Sequence, residues 1–156
     1  MKVLEWLESL RRQGMKLGLD NTSQILLRLG DPQNDFPSIH VAGSNGKGTT
    51  CSILSNSFTF SGIKTGLFTS PHLCNVEERI RIDGIQISNS DFSKSLEKLR
   101  DICEIEPKIS PTYYEATFIV AMMYFSAVKI ERAIIETGLG GRLDATRLVN
   151  ADCCIL

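Results

Sequence analysis

Apolar residues recur along this chain in two periods that alternate from segment to segment. Val3, Trp6, Leu7 and Leu10 stand at helical spacing and predict a helix over 3–12. A second helix, over 22–29, carries Ile25, Leu26 and Leu29 on one face; Asn21 or Thr22 is its candidate cap, and Gly30-Asp31-Pro32 ends it. "PSIHVAG" predicts a short strand over 38–42. Helical spacing returns at Thr50, Ile53, Leu54, Ser57 and Phe58, for a helix over about 48–60. "IKTGLFT" is a second strand, 63–68. In "RIRIDGIQI", Asp83-Gly84 separates two alternating runs, a hairpin signal. Ser88 and Asp91 have capping-box spacing ahead of Phe92, Leu96 and Leu99, which should face inward. Ser110-Pro111 opens a long apolar helix, 111–128, with proline suited to its first position. "RAIIE" reads as a buried-type strand, 132–136, and "DCCIL" begins another.

Strands alternating with helices predict an α/β domain: a mainly parallel sheet flanked by helices, with a small β-hairpin. Residues 1–156 read as one domain without repeats or linkers. The stop on an apolar strand predicts a domain incomplete at its C-terminal end. The formal net charge of −1 offers no basic field for nucleic acid or anionic lipid. Phe118–Val128, the longest apolar stretch, is too short to cross a bilayer. The first residues carry Glu5 and Glu8 and lack a secretion signal's apolar core, so a cytoplasmic protein is expected. The five cysteines form no C-x-x-C pair; free thiols, packed mostly as small apolar residues, are predicted.

Candidate chemistry centres on "HVAGSNGKGTT", 40–50. A strand, a glycine loop and a helix start bring backbone N–H groups to one place, and the helix dipole there favours an anion. Gly43, Ser44, Asn45, Gly46, Lys47, Gly48, Thr49 and Thr50 are the candidate nucleotide-binding residues. Lys47 adds a mobile positive charge for the outer phosphates, and Thr49 or Thr50 a hydroxyl for Mg²⁺. The match to the general phosphate-loop pattern is imperfect. Val41 stands where that pattern has its first glycine, and Gly48 delays the first hydroxyl by one residue. A tight strand-to-helix turn with a solvated lysine is the alternative.

Two more loops follow strands: "TSPHL", 69–73, and "ETGLGGRLDAT", 136–146. In a parallel sheet such loops gather at one edge, so Lys47, Ser70 and Glu136 should converge. Glu136 closes an apolar strand, a costly place for a carboxylate without a partner. A bound Mg²⁺ would offset that cost. A salt bridge to Arg142 or Arg79 is the alternative for Glu136, and a plain turn before Pro71 the alternative for Ser70. His40 reads as a buried strand histidine rather than a ligand.

Together "HVAGSNGKGTT", "GLFTSPHL" with "EERIRIDG", and "ETGLGGRLDAT" resemble the folylpolyglutamate synthase and dihydrofolate synthase family of the Mur ligase superfamily. "LRLGDPQ" and "PTYYEATFIVAMMYF" extend the resemblance over nearly the whole chain. It implies that residues 1–156 are a P-loop NTPase-like, Mur-ligase-type ATP-binding domain of an ATP-dependent amide ligase that phosphorylates a carboxylate on dihydropteroate or a folate and couples it to L-glutamate. It further implies Lys47 as a catalytic residue on the β/γ-phosphates, and Thr49, Ser70 and Glu136 as magnesium ligands. Pro71 and His72 would lie at the pterin site. The cofactors would be ATP and Mg²⁺, the partners small molecules only, and the intact protein a monomer. The family's C-terminal domain, and a histidine that completes its metal site, lie outside these residues. The alternative is a nucleotide-binding module without ligase activity.

Overall fold

The computed structural model describes residues 2–13 and 18–156. In chain order the elements are α1 (Val3–Leu10), α2 (Asp20–Arg28), β1 (Ser38–Val41), α3 (Lys47–Phe60), β2 (Thr65–Phe68), β3 (Ile80–Ile82), β4 (Ile85–Gln86), α4 (Asn89–Cys103), α5 (Tyr113–Val128), β5 (Arg132–Glu136) and β6 (Ala151–Ile155). The strands form one sheet in the order β4-β3-β2-β5-β1-β6. Strand β5 runs parallel to both β1 and β2, and β6 parallel to β1. The hairpin β3–β4 adds to the β2 edge antiparallel, turning at Asp83-Gly84 as expected.

Side-chain parity on the central strands sorts the core into two layers. Ile39 and Val41 of β1, Leu67 of β2 and Ile134 of β5 face α3, where Cys51, Leu54 and Phe58 meet them. Phe68, Ala133 and Ile135 face the other way, into the larger cluster built with α1, α2, α4 and α5. In that layer α5 is buried without a break from Glu115 to Met123. Apolar on every side, it is the central helix rather than a surface one. The predicted inward residues of α1 (Val3, Trp6, Leu7, Leu10) and of α4 (Phe92, Leu96, Leu99) are all buried.

Boundaries moved where a side chain does something local propensity does not anticipate. Neither Asn21 nor Thr22 caps α2; the chain enters it at Leu19 with no side-chain cap. Thr22 is instead buried, donating to Glu115 Oε1 at 2.8 Å. Helix α5 starts after Thr112, not at Pro111. Thr112 accepts from Glu115 N, and Glu115 Oε2 accepts from Thr112 N at 2.6 Å. That reciprocal box contributes about 1 kcal/mol and outcompetes proline's suitability for a first turn. Ser88 caps α4 as expected, accepting from Asp91 N at 3.0 Å. The cysteines divide differently from expectation: Cys51 and Cys103 are buried, but Cys74, Cys153 and Cys154 are exposed. Cys74 lies in a loop, and Cys153 and Cys154 lie on the edge strand β6.

His40 is a buried strand histidine, as its position in β1 suggested. Its Nε2 lies 2.8 Å from both Thr146 Oγ1 and Thr137 Oγ1. Thr146 Oγ1 donates to Asp144 Oδ1, so it must receive its own hydrogen bond from His40 Nε2–H. Burial lowers the pKa of this neutral ring, against the opposing pull of Asp144. His72 is lowered too, by burial and then by Arg79. Both native rings therefore hold a proton less readily than in the unfolded chain. The unfolded state binds more protons as pH falls through 6.5, and stability falls with it. The melting temperature should drop between about pH 7.5 and about pH 5.5, and His40→Gln should make the fall shallower. A flat profile in the unmodified chain would contradict this account.

Candidate functional site

Register fixes where the three loops meet. Val41 pairs with Glu136 and Phe68 with Ile135, so β1, β2 and β5 end at one level of the sheet. The segments that follow, from 42, 69 and 137, therefore leave from the same edge. Parity places the Glu136 side chain on the face of Ile134, the α3 face, where the first turn of that helix begins.

The glycine loop turns tightly into α3. Gly43 and Gly46 sit at φ 141° and 78°, conformations that side chains disfavour, and Gly46 is the left-handed residue at the N-cap. Gly43 to Gly46 are exposed, as is Thr49. The helix N-terminus thus opens to solvent with no side chain capping it. Lys47 Nζ donates to Gly43 O at 2.9 Å, folding the ammonium back over the loop. Among the described residues it has no carboxylate partner within salt-bridge distance.

Glu136 is 6% exposed. Its Oε2 accepts from Ser70 N at 2.9 Å, which joins the second loop to the third. Gly48 backs onto the same carboxylate: a methyl group there would stand 3.6 Å from Oε1. Neither Arg142 nor Arg79 forms an ion pair with Glu136 within 4.0 Å. The neighbouring Cys51 thiol is pushed up to about 12 by burial and then by the Glu136 charge, so it stays protonated. The structure thus brings Lys47, Gly48, Ser70 and Glu136 to one place. Among the described residues no group of three or more His, Cys, Asp or Glu could enclose a metal ion.

Pro71 and His72 lie on either side of a wall. Ser70 and Pro71 line a cavity of about 620 Å³ with Tyr113, Tyr114, Arg79 and Asp144. His72 lines a smaller hollow of about 300 Å³, and Arg11 and Tyr113 line both. The His72 loop is held by Glu78. One Glu78 oxygen accepts from Cys74 N and Asn75 N, the other from Leu73 N, each within 2.9 Å. The bonds from Asn75, Leu73 and Cys74 hold the Glu78 carboxyl below its ordinary value.

Asp144 organises the third loop, and residue patterns gave it no role of its own. It is 6% exposed. Oδ2 accepts from Gly138 N and Leu139 N; Oδ1 accepts from Tyr114 Oη, Thr146 N and Thr146 Oγ1. Tyr114 packs so closely on Gly138 that any Cβ there would come within 2.6 Å of its ring. Burial, with Asp144 second, raises the Tyr114 hydroxyl and keeps it a donor. The spacing Asp144-Ala145-Thr146 is an Asx-turn signal that could have located this anchor. Arg11, Arg79, Tyr113 and Tyr114 carried no comparable signal.

Known proteins resemble this chain in sequence and fold. The dihydrofolate synthase/folylpolyglutamate synthase of Escherichia coli is 37% identical over 153 residues, covering 98% of this chain and 36% of that protein. The structure of E. coli FolC in complex with DHPP and ADP has a TM-score of 0.90 at 35% identity, covering 99% of this chain and 37% of that one. The bifunctional folylpolyglutamate synthase/dihydrofolate synthase from Yersinia pestis, complexed with AMPPNP and a Mn ion, gives 0.89 at 36% identity, covering 99% and 38%. No protein-family model matches the chain.

Asp144→Asn tests the anchor. The amide keeps the shape but turns an NH₂ toward groups that are themselves donors. The expected cost is about 2 kcal/mol, or a fall of about 6 °C in melting temperature. An unchanged melting temperature would mean that the five hydrogen bonds are replaceable by water.

Proposed function

Because the chain belongs with the folylpolyglutamate synthases and dihydrofolate synthases, spanning 36% of the E. coli protein's length, we propose that it forms the Mg²⁺–ATP-binding part of a carboxylate–amine ligase. The overall reaction is ATP-dependent addition of L-glutamate to dihydropteroate or to a folate that already carries glutamate. The observation that carries this reading is Glu136: a buried carboxylate beside the glycine loop, with no cationic partner among the described residues.

The residues fit a magnesium ion delivered by a nucleotide. Magnesium takes few protein ligands and completes its shell with phosphate oxygens and water. One carboxylate and one or two hydroxyls match that habit better than they would match a resident ion in an all-protein cage. Glu136, Ser70 and Thr49 would hold it; Thr50 is the alternative hydroxyl in the same helical turn. When bound, the ion neutralises charge on the transferring phosphoryl group.

Gly43 to Thr50 would bind the nucleotide phosphates through the open N–H groups of the α3 terminus. Lys47 would leave Gly43 O for the β/γ-phosphates, an exchange of one hydrogen bond for a charge-assisted one. The cavity beside Ser70 would place the acceptor's carboxylate in line with the γ-phosphorus, Pro71 lining it and His72 bracing its outer wall. The carboxylate oxygen forms a bond to phosphorus as the bond to ADP breaks. The glutamate amine then attacks the acyl carbon, phosphate leaves and the amine's proton is lost. The chain's share of this catalysis is positioning and charge stabilisation.

Two substitutions test the assignment. Lys47→Ala should lower affinity for Mg²⁺–AMPPNP, and in a ligase carrying this domain it should reduce turnover about a hundredfold. Wild-type values for both would remove Lys47 from the phosphate site. Glu136→Gln should shift the magnesium dependence of nucleotide binding to higher concentration while the melting temperature changes little, since a neutral amide still accepts from Ser70 N but ligates a hard cation poorly. A preserved magnesium titration with a melting temperature several degrees lower would instead make Glu136 a structural residue.

A further inference from the structure

Asn45-Gly46 is the only Asn-Gly pair in the sequence. Asparagine is thermolabile because its carboxamide carbon lies within reach of the next main-chain nitrogen. Glycine removes the side chain that would hinder that approach. In a folded protein the reaction then depends on how firmly the two groups are held.

Neither is held here. Asn45 is exposed, and its carboxamide makes no hydrogen bond among the described residues. Gly46 N–H likewise donates to no described group, although Gly46 O accepts from Thr50 N at 2.9 Å. The space beside Gly46 is open: a Cβ built there would meet no atom within 4 Å. Asp83, the other Asp or Asn that precedes a glycine, is tied instead, its Oδ1 accepting from Thr65 N at 2.8 Å. Asn56 is exposed too, but it lies inside α3, where the helical backbone engages the next nitrogen.

The start of α3 adds a second effect. Gly46 is its N-cap, and no side chain caps the terminus. The positive end of the helix favours negative charge developing on the attacking nitrogen and on the carboxamide oxygen. It equally favours a carboxylate at position 45 once one has formed. Lys47, two residues on, has no carboxylate partner among the described residues. A new carboxylate would compete with a phosphate for that ammonium and for the open N–H groups.

We propose that Asn45-Gly46 is a self-modification site that disables the glycine loop for anions, and that bound nucleotide protects it. Solvent base takes the proton from Gly46 N, and the nitrogen bonds to Asn45 Cγ. The Cγ–Nδ2 bond breaks, the leaving nitrogen takes up a proton and departs as ammonia, and a succinimide remains. Water opens this ring. Attack at Cγ gives aspartate at position 45; attack at the main-chain carbonyl carbon gives isoaspartate, which adds a methylene to the loop's backbone. Nothing is oxidised or reduced. The effect on nucleotide rests on the proposed function; the ring closure does not.

The test incubates the purified chain in mildly alkaline buffer, with and without Mg²⁺–AMPPNP, and follows conversion at each asparagine by peptide mass mapping. Asn45 should convert well ahead of the exposed Asn34, Asn56 and Asn150. At a nucleotide concentration about ten times its Kd, conversion should slow about tenfold, because only the empty loop reacts. Affinity for Mg²⁺–AMPPNP should fall in proportion to the converted fraction, and Asn45→Asp should bind about tenfold more weakly than the unmodified chain. Asn45→Gln, whose longer side chain closes the ring far more slowly, should hold its own starting affinity through the incubation. Conversion at Asn45 no faster than at Asn34 or Asn150 would overturn the site. Conversion undiminished by saturating Mg²⁺–AMPPNP would overturn the protection. Failure of the proposed function has a different signature: the freshly prepared chain would not bind Mg²⁺–AMPPNP, while the mass map would still decide whether Asn45 converts.

Discussion

A carboxylate buried at the end of the middle strand constrains most of what surrounds it. Strand β5 lies between β1 and β2, so its last residue meets both neighbouring loops. That residue is Glu136, turned by parity toward the start of α3. A carboxyl side chain at 6% exposure demands partners. It takes Ser70 N from the loop after β2 and lies against Gly48 from the loop after β1. The three connections are thereby held in one arrangement by the needs of a single charge.

Donor counts separate the buried carboxylates of this domain by use. Asp144 has five donors from its own loop and from Tyr114. Glu115 is satisfied by Thr22, by Thr112 N and by its place in the first turn of α5. Both are structural, since their bonds tie segments together and leave little capacity for a ligand. Among the described residues Glu136 has one donor, the Ser70 backbone N–H, and an oxygen facing the bare backbone of Gly48. A carboxylate accepts about four hydrogen bonds, so Glu136 keeps unused capacity beside the open N-terminus of α3.

The sequence and the structure agree best where a pattern spans many residues. The periodicity of α1, α4 and α5, the alternation of strands with helices, and the Asp83-Gly84 turn all carried through to the fold. So did the convergence of Lys47, Ser70 and Glu136, because it follows from topology alone: loops after parallel strands share an edge. What stayed hidden depends on partners distant in sequence. Thr22 reads locally as a helix cap, yet its partner is Glu115, in another helix. Arg79 reads as the polar half of an alternating strand, and only the placement of Tyr113 and Arg11 shows that it lines a cavity. Glu78 gave no signal either, since three consecutive backbone N–H groups converge on it only once the 73–75 turn exists.

The irregularity of the glycine loop is explained by the same carboxylate. The general phosphate-loop pattern places a hydroxyl residue directly after the lysine; here Gly48 intervenes. Helix α3 begins at Lys47, so position 48 lies in its first turn, on the side where Glu136 comes up from the sheet. A methyl group at 48 would already touch Oε1 at 3.6 Å, and a longer side chain would reach into the space beside the carboxylate. That space is the one a cation shared between Glu136 and a phosphate would need. The hydroxyls therefore fall to positions 49 and 50, further around the turn. The extra glycine, which as a string weakens the match to a nucleotide-binding loop, leaves the space beside the carboxylate clear of side-chain atoms.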